Sequence, residues 1–244
     1  MIVNSDTSLI SATDCSFIPE SGSHTYGLAK FYNGARSEAG KGLEISEPAV
    51  TDVNYDTAYS VSTRQTPDTL PAGQTRTDRY VGHSVQDAPC LPPSVRYPAA
   101  DGYYAESESA DGVTGAGYHL ISELRHDANL RRLYAGAQKP EGRSEMYDGK
   151  VRSDNTDRSE SIGGTDNVSL HTAVVNSPSP KRSIRIVYPV SRQGGKVAAA
   201  LLFSADIHLP AADIRRLCKA RFQSECSVPG CEAVCRTSGL SVPL

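Results

Sequence analysis

Lys181 to Phe222 is the stretch that most constrains the fold. Dense apolar content, a turn and a capped helix follow one another there without interruption. Ser183 to Val190 begins with strand alternation, Ile184, Ile186 and Tyr188 on one face and Arg185 and Val187 on the other. Pro189 cannot donate a ladder hydrogen bond, so the strand is expected at an edge or to end there. Ser191 to Lys196 carries paired glycines, a turn signal. Val197 to Phe203 is continuously apolar and is read as the second strand of a hairpin. Pro210 then opens a helix, where its missing N–H costs nothing. Ile214 and Leu217 should face the strands, while Arg215, Arg216, Lys219 and Arg221 should face water.

The rest of the chain has little apolar material to build on. Of 244 residues only 38% are hydrophobic, with no Trp, 4 Phe and 12 Tyr. Short apolar islands in residues 1–50 and a run of β-formers in 50–65 point to short strands. Thr66 to Arg79 reads as a polar loop, and Tyr80-Val81 as a short strand. Ala88 to Pro98 holds four prolines and reads as an extended arm. Tyr118 to Tyr134 carries an apolar stripe (Leu120, Ile121, Leu124, Ala128) that predicts a second helix, with Gly136 as its stop. The fold class is therefore α+β, strand-rich with few helices (118–134 and 210–222) and long irregular loops. Four segments follow: a strand-rich 1–98 with a Pro-rich end, a loop plus helix at 99–137, a polar flexible linker at 138–167, and a hairpin plus helix at 168–244 with a Cys-containing end.

Charge is uneven. The net value is −3, but residues 1–180 carry −9 and residues 181–244 carry +6. An acidic body and a basic end favour self-association, or an acidic partner or nucleic acid at the basic third. Arg182, Arg185, Arg215, Arg216, Lys219 and Arg221 are the partner-binding candidates. The first residues lack the basic and apolar regions of a secretory signal. No window approaches the roughly 18 apolar residues of a membrane helix. The chain reads as made in the cytosol, for incorporation into a particle, with no membrane partner.

Cys218, Cys226, Cys231 and Cys235 have the spacing C-x7-C-x4-C-x3-C. Four thiolates suit a tetrahedral zinc, yet the close C-x2-C pair is missing, and free thiols or disulfides remain open. Gly112-Val-Thr-Gly-Ala-Gly117 fits neither dinucleotide nor P-loop spacing and reads as a turn. His119, His126 and Asp127 read as surface residues, and the context of His83-Ser84 is not a nucleophile elbow.

Arg36, then Ser60-Val-Ser62-Thr63, then Glu106-Ser-Glu108 occur in that order. The pattern resembles the arginine, Ser-Thr-Ser, Glu-x-Glu series of one branch of ADP-ribosyltransferases, with Val61 where that family has Thr. The resemblance implies an Arg36 contact to a dinucleotide, a nicotinamide pocket shaped by Ser60 and Ser62, and Glu108 stabilising a ribosyl cation with Glu106 assisting. Composition favours a different class: a structural or assembly protein, a coat, shell or scaffold subunit that buries scarce apolar surface between copies. That reading calls for no cofactor and no enzymatic activity. ADP-ribosyl transfer and a basic binding module are the alternatives.

Overall fold

The computed structural model describes residues 8–34, 36–102, 112–125, 127–152, 156, 158–178, 181–191 and 201–225, with side chains described as far as 221. The protein is α+β and strand-rich. Its strands are β1 (Leu9–Pro19), β2 (Ala29–Asn33), β3 (Glu38–Asp52), β4 (Thr57–Ser60), β5 (Arg64–Gln65), β6 (Pro98–Ala100), β7 (Ile121–Leu124), β8 (Arg131–Leu133), β9 (Tyr147–Lys150), β10 (Glu160–Gly164), β11 (Val168–Ser177), β12 (Arg182–Ser191) and β13 (Leu201–Ser204). Two helices flank them, α1 (Arg76–Asp87) and α2 (Ala211–Glu225). A single helical turn lies at 112–115.

All these strands join one mixed sheet, in the order β2-β3-β1-β6-β7-β13-β12-β11-β8-β9, with β4 and β5 on β3 and β10 on β11. The sheet takes strands from all four sequence segments. Most pairings are antiparallel, but β6 is parallel to both β1 and β7. Parallel neighbours need a crossover, and the chain between β1 and β6 carries β2 to β5 and α1.

Both faces of the sheet are covered in its central part. On one side, Tyr80 of α1 packs with Leu120, Ile184, Ile186 and Phe203. On the other, Ile214 and Leu217 of α2 pack on Ile10, Ala99, Ile121 and Val187. Ile214 is fully buried. Burying such a side chain stabilises by about 1.5–3 kcal/mol.

The 181–222 unit folds as its pattern requires. β12 pairs antiparallel with β13, and α2 follows directly after Pro210, whose carbonyl accepts from Asp213 and Ile214 N–H. Pro189 does not end its strand. It pairs with Leu170 of β11, beyond the Arg185–Val187 stretch that meets β13, so its missing donor disturbs only one ladder. The Gly-Gly turn lies outside the described residues.

The helix expected over 118–134 is not there. That stretch holds β7 and β8 instead. Leu120 and Leu124 pack into the α1 side of the core and Ile121 into the α2 side. A strand covered on both faces presents neighbouring apolar residues to opposite sides, and its pattern imitates a helical stripe. The 138–167 segment is mostly exposed, but it is not free of structure: it contributes β9 and β10. The expected short strand at Tyr80-Val81 is part of α1, and Thr66 to Arg79 includes the start of that helix. Thr75 and Asp78 form a reciprocal capping box at its N-terminus. No helix among the described residues is long and apolar enough to cross a membrane.

Candidate functional site

The alternation of β1 decides where its polar residues go. Ile10 enters the core under α2, so Asp14, four residues on, points to the same face. On β3, Glu47 stands directly opposite Asp14. On the other side, the β1–β6 register runs Ser11↔Pro98, Ala12↔Ala99, Thr13↔Ala100, and one step further brings Asp101 beside Asp14. The β6–β7 register pairs Ala99 with Ile121, and two steps further bring Glu123 beside Asp101. Ser122 Oγ fixes that junction by donating to Asp101 O at 2.9 Å. Glu47, Asp14, Asp101 and Glu123 thus form one row across adjacent strands, spaced about 5 Å apart. The row lies just past the end of β6 and crosses the middle of β1, which runs on to Pro19.

The electrostatics agree with the register. Burial pushes the Asp14 carboxyl above the usual carboxylate range, the carboxylates of Asp101 and Glu47 add to the rise, and the Cys15 backbone N–H and the Arg221 guanidinium oppose it. Arg221 is 7% exposed and faces the sheet from the last turns of α2. This corrects the expectation that it faces water. It follows Leu217 by four residues and Cys218 by three, so it shares their buried side. Burial pushes the Cys218 thiol up to about 12, Glu123 adding to the rise and Arg221 opposing it. Such a thiol stays protonated, as a small core residue does. Cys226, Cys231 and Cys235 lie outside the described residues.

Among the described residues, no group of three or more His, Cys, Asp or Glu side chains is placed to hold a metal ion. The row offers hard oxygen donors, the ligand type of magnesium and manganese rather than of zinc.

The other candidates are dispersed. Arg36 is exposed in the β2–β3 hairpin, while Ser60 pairs with Ala49 near the far end of β3, a separation on the order of 30 Å along that strand. Glu106 and Glu108 lie outside the described residues. Ser62 belongs to a polar network instead. Its hydroxyl bonds to His83 Nε2 at 2.6 Å and to Asp87, while His83 Nδ1 meets Ser46 Oγ at 2.6 Å. Arg64 pairs with Asp87 at 2.7 Å. Ser46, His83 and Asp87 resemble a nucleophile, base and orienter, but Ser46 and His83 are 3% and 2% exposed. A sealed serine cannot meet a substrate, so the network clasps α1 to β3.

Arg215, Arg216 and Lys219 are exposed on α2, as expected. Arg216 donates to Asn54 Oδ1 and Ser8 Oγ. Arg182 and Arg185 are half-buried: Arg182 donates to Thr114 Oγ1, and Arg185 donates to Ile207 O at 2.7 Å. His119 lies 6.0 Å from the Tyr97 ring, Asp127 pairs with Arg125, and His126 is outside the described residues.

No family model matches the sequence, and no curated protein matches it. Solved structures show a distant likeness. A piggyBac transposase, in a synaptic complex with hairpin DNA, is 12% identical with a TM-score of 0.43; the match covers 89% of this chain and 39% of that one. Endonuclease V of Ciona intestinalis, in complex with an inosine-containing DNA, is 13% identical with a TM-score of 0.35, over 88% and 78% of the two chains. Endonuclease V of Bacillus subtilis is 8% identical with a TM-score of 0.36, over 88% and 71%. At these scores the neighbours assign neither a family nor an activity.

None of the four row carboxylates stood out in the sequence. The available signal was Asp14 at the inward parity of Ile10 and Ala12, a carboxylate where alternation calls for an apolar side chain.

Proposed function

We propose that the protein is a magnesium- or manganese-dependent phosphoryl-transfer enzyme acting on phosphodiesters, with nucleic acid as substrate class. One observation supports this reading: strand register sets Asp14, in the middle of β1, beside Asp101, just past β6, with Glu47 and Glu123 flanking them. Grouped carboxylates repel one another, and a buried one gains most from a cation that neutralises the group. Asp14 and Asp101 would hold that cation. When bound, it polarises a phosphoryl oxygen and lowers the pKa of bound water. Glu47 and Glu123 would orient water or the leaving group from either side. Arg215, Arg216 and Lys219, exposed on the helix that covers the row, supply positive charge for a phosphate backbone.

The test is cleavage or strand transfer of labelled single- and double-stranded DNA and RNA, with Mg2+, Mn2+ or chelator. Metal-dependent products that vanish in Asp14→Asn and Asp101→Asn support the reading. Products that persist in both Asp variants, or no product with any substrate and metal, defeat it.

A second reading, self-assembly, is favoured by the two open ends of the sheet. Among the described residues β2 and β9 each have a strand neighbour on one side only, and Tyr32 on β2 is 60% exposed. Open edges template pairing with another chain.

A further inference from the structure

We propose that two copies of this chain join through their β2 edges, antiparallel about a twofold axis at Phe31, and that Arg76 of α1 competes for that edge. The inference rests on the self-assembly reading above and names its surface.

The backbone groups that β2 turns outward follow from β3. In an antiparallel pair, successive residues point their N–H and C=O alternately to the two sides. β1 lies along one side of β3, and β2, β5 and β4 follow one another along the other. On that second side Glu44 O accepts from Thr66 N–H at 2.8 Å and Pro48 O from Val61 N–H at 2.9 Å. Gly40 and Gly42 have the same parity, so their groups meet their register partners Phe31 and Ala29 of β2. Lys30 and Tyr32, between and beyond those residues, then turn N–H and C=O to the open side. The contact seen there agrees: Arg76 Nη2 donates to Lys30 O at 3.1 Å.

The edge is complementary to itself. With the twofold axis at Phe31, Lys30 of one copy stands opposite Tyr32 of the other. These are the outward-facing residues, so they exchange both N–H···O bonds, and the symmetry repeats the exchange. Their side chains share one exposed face of β2, with Tyr32 60% exposed, and each ammonium meets a tyrosine ring across the join. An axis at Lys30 would set Lys30 against Lys30, a like-charge pair that destabilises. An axis at Tyr32 would set Lys30 against Gly34, past the strand end at Asn33.

Arg76 closes this edge in the single chain. Its guanidinium lies 4.6 Å from the centre of the buried Phe31 ring while taking Lys30 O, an acceptor that the joined ladder needs. The Thr75–Asp78 capping box fixes the helix start that carries it. The contact to Lys30 O is exposed, so the guanidinium can release the carbonyl and stay over the ring. Joining two copies costs one such contact in each, and an unguarded edge pairs more readily.

The experiment uses the full chain in sedimentation velocity across protein concentration at fixed salt, with amide exchange over 29–33 alongside. Arg76→Met keeps the stem over Phe31 and removes the donor. Tyr32→Pro removes an outward N–H, a change that an edge strand tolerates. The expected result is a reversible wild-type dimer that is at least tenfold tighter in Arg76→Met and lost in Tyr32→Pro. The Lys30 and Tyr32 amides should gain protection with concentration, and the Phe31 amide should not. Equal or weaker dimerisation in Arg76→Met, or a dimer that persists in Tyr32→Pro, overturns the proposal and leaves assembly through other surfaces standing. A monomer at every concentration, in wild type and in Arg76→Met, overturns both. If a variant does not fold, wild-type exchange decides: joint protection of Lys30 and Tyr32 supports the proposal, and unchanged exchange overturns it.

Discussion

Ser46 Oγ and His83 Nδ1 meet at 2.6 Å, and the contact joins the middle of β3 to the buried side of α1. Both ring nitrogens of His83 are engaged, the second with Ser62 and, at 3.1 Å, with Asp87. Burial and the nearby Arg64 and Arg79 hold the imidazole below its ordinary pKa, against the pull of Asp87. The folded state thus binds fewer protons here than the unfolded chain. The stability due to neutral His83 is complete above about pH 6.5 and is lost as pH falls toward the lowered value. Melting temperature should drop across that window, with amide exchange rising first in 76–87. His83→Gln should flatten the profile; an unchanged slope would show that another group controls it.

Asp14 has the opposite sign. Its carboxyl is raised, so the folded state binds a proton more readily than the unfolded chain, and stability falls as pH rises through the raised value. At neutral pH in metal-free buffer, Asp14→Asn should therefore melt higher than wild type. Added Mn2+ should raise Tm in wild type and not in the variant. A variant that melts lower in chelator would show that the carboxylate serves packing rather than ligand binding.

Ile214 anchors α2 over the α2-side core, fully buried with Ile10, Ala99 and Ile121. Ile214→Ala should cost about 2–5 kcal/mol, the range for deleting a buried aliphatic side chain. Urea unfolding followed by circular dichroism measures it. A loss under about 1 kcal/mol would mean the helix is held mainly by its polar contacts.

Charge reversal separates association from folding. Arg215 and Arg216 are exposed, so Arg215→Glu/Arg216→Glu should leave the melting curve nearly unchanged. If copies associate through the acidic body and this basic face, light scattering should fall with salt and fall again in the double variant. A monomer at every concentration and salt level removes the assembly reading.

What the sequence shows and hides follows from which faces are apolar. The β12–β13–α2 unit was legible because its alternation and its Pro210 obey local rules. α1 was not, because its buried residues are Tyr80, His83 and Asp87, a polar stripe whose partners come from β3 and the segment after β4. Its one local signal, Thr75 with Asp78, uses Asp where the usual box has Glu or Gln. β7 misled for the reverse reason: covered on both sides, it looks helical. The carboxylate row was hidden because its members are 33, 54 and 22 residues apart along the chain and meet only through strand register. Arg221 was misplaced because a charged residue near a helix end normally faces water, whereas this one shares the buried side of Leu217 and Cys218.

The brevity of β6 has a consequence for how the molecule comes together. Three residues, Pro98 to Ala100, seam the β2-β3-β1 flank to the β7-β13-β12-β11 flank. The β1–β6 side of the seam joins chain segments far apart in sequence, and such contacts form slowly. Asp101 directly follows the seam strand, with Asp14 on the strand to one side of it and Glu123 on the strand to the other. The carboxylate row therefore does not exist in either flank alone: it is complete only when the three residues of β6 are in place between β1 and β7.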